Sequence, residues 1–126
     1  MSYLVHYVVV VIVFLALDAI WLRKVALPLF ERHVGALMRD DPDLKVAAVF
    51  YAFYCAGIVY FAASPGASVT GAFGNGVLLG LMAYGTYEFT NMATLKGWHW
   101  SMVKADTAWG AFLTGIAAAV AVAVAG

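Results

Sequence analysis

Residues 8–22 read VVVVIVFLALDAIWL: fourteen apolar positions broken by one acid, Asp18. The run extends back to Tyr3 with no basic residue inside it, which gives the roughly 20 residues a helix needs to cross a bilayer. Two further apolar stretches also carry an acid. Residues 78–95, LLGLMAYGTYEFTNMATL, hold Glu88, and residues 106–126, DTAWGAFLTGIAAAVAVAVAG, open on Asp106. A charged side chain at mid-membrane costs roughly 2.5–3.5 kcal/mol even on lenient scales. Three acids kept there with no lysine or arginine among them need a partner, a proton or a cation.

Composition fixes the class. The 126 residues are 65% hydrophobic and 11% charged, against about 45–50% and 25% in a soluble domain. The chain reads as an all-α integral membrane protein with a single domain over residues 1–126. The net charge of zero excludes a basic nucleic-acid-binding surface, so membrane lipids are the expected surroundings. Cys55, the one cysteine, lies in an apolar run. It excludes an internal disulfide and reads as a small buried apolar residue.

Four transmembrane helices are expected, forming an antiparallel bundle: about 3–22, 42–63, 70–95 and 101–125. The start MSYLVHYVVVV has no early Lys or Arg and no small-residue cleavage site before Leu22, so it reads as a retained span. Asp41 as N-cap with Pro42 at the first helical position opens the second span. Ser64-Pro65-Gly66 closes it, and Lys96-Gly97 ends the third with a basic residue and a C-cap glycine. Between spans 1 and 2, Leu27, Phe30, Val34, Leu37 and Met38 fall near helical spacing, with Arg32 and Arg39 off the stripe. An interfacial amphipathic helix is expected there. Trp98, His99 and Trp100 read as an aromatic belt at the same interface, with His6 beside Tyr3 and Tyr7 in the same role at the other.

All seven basic residues lie on one side: Arg23, Lys24, Arg32, Arg39 and Lys96 in the two segments joining spans 1 to 2 and 3 to 4, and Lys45 and Lys104 in the first turn of the spans that follow them. The positive-inside rule turns that side to the cytoplasm and both termini to the periplasm. The expected location is a bacterial inner membrane, and one fixed orientation.

Helical spacing gives each acid companions. Tyr84, Glu88 and Asn91 follow i, i+4, i+7, flanked by Tyr87; Asp18 pairs with Trp21, and Asp106 with Trp109 and Gly110. Polar faces turn away from lipid, so one cavity lined by these residues is the economical arrangement. Its candidate substrate- or ion-binding residues are Asp18, Trp21, Tyr84, Tyr87, Glu88, Asn91, Asp106 and Trp109. Gly76 and Gly80 form a small-xxx-small pair that permits close helix approach. No phosphate loop, zinc-type cysteine pair or nucleophile elbow is present, so no cofactor and no metal are expected.

The strings LDAIWL, YGTYEFTNMATLKGW and DTAWG, in this order, resemble the bacterial membrane protein family called domain of unknown function 2177 (DUF2177). Residue by residue the family pattern falls on Asp18 and Trp21, then Tyr84, Gly85, Thr86, Tyr87, Asn91, Thr94, Lys96 and Trp98, then Asp106, Trp109 and Gly110. Members often carry Asp where this chain has Glu88. The resemblance implies a small four-helix inner-membrane protein and no established activity. The leading expectation for function is binding or translocation of protons, cations or a small cationic solute. The alternatives are a membrane enzyme acting on lipids, and an accessory subunit of a larger membrane complex. Homo-oligomers belong to the same set of expected partners.

Overall fold

The computed structural model describes residues 2–126. They form α1 (Tyr3–Trp21), α2 (Leu27–Val34), α3 (Leu44–Phe61), α4 (Val69–Thr94) and α5 (Trp100–Ala125), with no strand among the described residues.

The first helix does not stop where the sequence suggests. It runs unbroken from Tyr3 to Leu37, 35 residues, through a wide π-helical turn at Leu22–Ala26 and a closing 3-10 turn at Gly35–Leu37. The cause is Pro28. It has no N–H to continue the i→i−4 ladder, and an ordinary helix would kink or break there. The chain widens one turn instead, so that the N–H of Leu27 reaches back to the carbonyl of Leu22. Pro28 then sits in the first turn of α2. At about 1.5 Å per residue the continuous helix is about 52 Å long, well beyond a hydrocarbon core of about 30 Å.

The other helix starts follow capping chemistry. Asp43, not Asp41, caps α3, its carboxylate accepting from the N–H groups of Lys45 (3.1 Å) and Val46 (3.3 Å). Pro42 therefore stays outside the helix. Ser68 caps α4 through Gly71 N–H, and His99 caps α5 through Ser101 N–H. Gly97 has φ of +85°, as a glycine past a helix end commonly does.

Three segments are long and apolar enough to cross a membrane: Tyr3–Leu37, Leu44–Phe61 and Trp100–Ala125. The 26-residue α4 is not among them. Five glycines, Asn75, Glu88 and Asn91 dilute its apolar content.

The tightest packing joins α4 to α5. A Cβ placed on Gly76 would lie 2.7 Å from the Thr114 carbonyl oxygen, and one on Gly80 would run into the Gly110 carbonyl. Gly110 in turn receives the ring of Tyr84. The backbones approach because side chains are absent, the way small residues bring membrane helices together. Against this pair α1 and α3 complete a core of Val10, Phe14, Ile58, Leu113 and Ala117, all fully buried. The Tyr54 hydroxyl crosses to Thr114 Oγ1 at 2.9 Å. Cys55 is buried as expected, whereas His6 is no interfacial residue. It is fully buried, with its Nδ1–H donating to the Ala63 carbonyl at 2.8 Å. That bond ties the start of α1 to the turn after α3.

Candidate functional site

The acids gather near one end of the bundle. Glu88 is 19 residues from the start of α4 and Asp106 is 19 from the end of α5, so both lie about 28 Å from the far end of their helices. Asp18, 15 residues into α1, lies about 22 Å along it. All three lie toward the same end of the bundle, with Asp18 the farthest from that end.

Asp18 is almost wholly buried, 4% exposed. Oδ1 accepts from Trp109 Nε1 at 3.1 Å and Oδ2 from the Tyr51 hydroxyl at 3.2 Å. Trp109 stacks on Trp21 with ring centroids 4.8 Å apart and planes within 4°. The Trp21 indole N–H faces Asp106 without closing a full hydrogen bond. Glu88 is fully buried; its Oε1 accepts from Trp98 Nε1 at 3.0 Å. Its other oxygen has no donor, and the Asp106 carboxyl is its neighbour. Each donor named here is a neutral aromatic N–H or O–H. Neutral donors orient a carboxylate but cannot balance its charge, so two carboxyls side by side need a proton or a cation between them.

A cavity of about 390 Å³ opens beside this network, within the ~300–1,000 Å³ range typical of small-molecule sites. Its wall carries Asp18 and Trp21 from α1, Phe50, Tyr51 and Tyr54 from α3, Tyr84 and Tyr87 from α4, and Asp106 from α5. Leu27 and Phe30 of α2 close one end. No Lys, Arg or His lines it.

Of the residues singled out by spacing, Asp18, Trp21, Tyr84, Tyr87 and Asp106 line this cavity. Trp109 stands behind it, holding Asp18. Glu88 is outside the wall, packed against Asp106 and Trp98. Asn91 is also outside, beside the Tyr87 hydroxyl.

Residues that spacing does not single out are as central. Tyr51 and Tyr54 look like packing aromatics in VAAVFYAFYCAG, and only their i, i+3 separation with polar tips hints at a polar face. Trp98 is half-buried and turns inward: besides holding Glu88, its ring meets Phe30 of α2 edge-on at 5.4 Å. Next to it the imidazoles of His33 and His99 stack at 4.4 Å. These contacts dock α2 against the 95–99 connection and cover the acid end of the bundle.

Among the described residues no group of three or more His, Cys, Asp or Glu forms a metal-holding cluster. A family model described as "Predicted membrane protein (DUF2177)" matches residues 3–123. No curated protein and no solved structure matches the chain.

Proposed function

Since the chain belongs to the DUF2177 family of predicted membrane proteins, we propose that it crosses a bacterial inner membrane four times and binds a small organic cation, exchanging it for a proton held among its three carboxyls. The observation that carries this reading is the cavity wall, with two carboxylates and no basic residue. The fourth crossing is α4, whose 26 residues extend about 39 Å along α5. Both termini then face the periplasm, by the one-sided placement of Lys and Arg. Helix α2 lies at the cytoplasmic interface, with Arg32 exposed and Phe30 turned to Trp98.

The chemistry follows from charge balance. With the site free of cation, a proton shared by Glu88 and Asp106 reduces their mutual repulsion. A cation entering between Asp18 and Asp106 takes over that role, and the proton leaves. The aromatic walls supply ring faces that attract a cation more strongly when it is desolvated, by up to about 2 kcal/mol.

In proteoliposomes, uptake of tetramethylammonium by the Asp18→Asn variant is expected to fall at least tenfold, because the amide can still accept from Trp109 and donate to the Tyr51 hydroxyl oxygen but carries no charge. Binding in weakly buffered solution is expected to release close to one proton per cation. Uptake unchanged by Asp18→Asn would sink the proposal.

A further inference from the structure

A second cleft, of about 280 Å³, lies between α1 and α3, lined by Val11 and Leu15 on one side and Ala48, Ala52 and Cys55 on the other. It has no charged residue in its wall. Leu15, Ala48 and Ala52 are exposed, which in a membrane means open to lipid. The two cavities share Ala47 and Tyr51. Tyr51 stands at the border, its hydroxyl held by Asp18 at 3.2 Å.

We infer that the two cavities form one binding site for a single-tailed cationic amphiphile, its ammonium head beside Asp18 and Asp106 and its alkyl tail in the cleft between α1 and α3. The inference rests on the cation-binding reading above and names the class of cation. Three observations support it. The charged and apolar halves are adjacent, sharing Ala47 and Tyr51 in their walls. Along α1 the polarity runs the same way as in a membrane leaflet: the acid cavity takes Asp18, Trp21 and, beyond them, Phe30 of α2, and the apolar cleft takes Leu15, Val11 and Tyr7, while on α3 the cleft extends from Leu44 to Cys55. The space also fits, because a dry apolar cavity of about 150 Å³ takes one benzene. The cleft has about twice that room, enough for one chain segment.

The test uses the full chain in nanodiscs of phosphatidylethanolamine and phosphatidylglycerol, titrated with tetramethylammonium, dodecyltrimethylammonium and dodecanol. Tryptophan fluorescence is the readout, and empty nanodiscs supply the partitioning correction. Dodecyltrimethylammonium is expected to bind at least tenfold more tightly than tetramethylammonium, and dodecanol is expected not to saturate. Ala48→Phe, or Ala52→Phe on the same lipid-open face, should erase that advantage while leaving tetramethylammonium binding unchanged. Equal affinity for the two cations overturns the tail site and leaves the cation reading standing, as does an advantage that survives both variants. Dodecanol binding as tightly as dodecyltrimethylammonium overturns the need for the charged head. Tenfold weaker dodecyltrimethylammonium binding in phosphatidylcholine nanodiscs would make a two-chain lipid the occupant and overturn the single tail. If neither cation binds the wild type, both the inference and the function beneath it fall.

Discussion

Replacing Gly80 with leucine will force α4 away from α5 and cost the folded protein about 3 kcal/mol or more, the upper end of what overpacking a filled interface costs. The neighbours of the new side chain would be backbone: the Gly110 carbonyl and the Ala111 Cα, the latter 2.8 Å from the first added carbon. Backbone cannot rotate aside as a flexible side chain can. The α4–α5 contact is also the most extensive in the molecule, so a shift there moves Tyr84 off Gly110 and opens the wall that carries Asp106. Gly74→Ala is the matched control, because a Cβ at Gly74 meets nothing within 4 Å. Reversible unfolding in mixed micelles should separate the two variants clearly. Coincident midpoints would refute the close-approach account of the interface.

Glu88→Ala is expected to lose about 2–4 kcal/mol of stability, while Glu88→Gln loses less than about 1 kcal/mol. Truncation leaves Trp98 Nε1 without its acceptor, and an orphaned buried polar group costs about 1–3 kcal/mol. It also leaves a space where a fully buried side chain stood, which adds a cavity penalty. Glutamine keeps an oxygen for Trp98 and offers its amide to Asp106. A double-mutant cycle with Trp98→Phe isolates the hydrogen bond, because Glu88→Ala should be less damaging once the donor is gone. The same pair of variants speaks to function. Glu88→Gln has no second carboxyl to share a proton with Asp106, so cation binding should proceed without proton release. Equal damage from alanine and glutamine would show that Glu88 acts only as volume.

Three apolar segments are legible in the sequence because hydrophobic runs of membrane length have few other interpretations, and α4 is legible as a helix although it is less apolar than those three. The start of α4 is legible to within a residue, through the Ser64-Pro65-Gly66 turn before it. The continuation of the first helix to Leu37 is not: the apolar run ends at Leu22 before Arg23 and Lys24, and only the backbone shows how the chain carries on through Pro28. Choosing Asp43 over Asp41 as the cap of α3 depends on which carboxylate reaches the free N–H groups, and spacing leaves both eligible.

At the site, i, i+3 and i, i+4 patterns find groups that share a helix face, and so find Asp18 with Trp21 and Asp106 with Trp109. They say nothing of what the facing helix brings. Tyr51, Tyr54 and Trp98 lie 33, 36 and 80 residues along the chain from Asp18, and only tertiary packing places the first two at the cavity and Trp98 on Glu88. The helical row through Tyr84, Glu88 and Asn91 overreaches for the same reason. A shared face is wider than one cavity, and here it divides among Gly110, Asp106 and Tyr87.

The wide turn at Leu22–Ala26 also sets rotational phase. In a regular helix each residue advances about 100°, which would put Phe30 about 120° away from Asp18. The wide turn accommodates one additional residue, returning Phe30 to within about 20° of the direction Asp18 faces. The first helix therefore behaves as two in-phase rulers joined by a one-residue insertion. One ruler aims an acid into the bundle, and the other aims an aromatic ring at the connection above it. Shortening the helix by that residue would preserve its length and apolarity almost unchanged, yet turn the upper ruler away from Trp98.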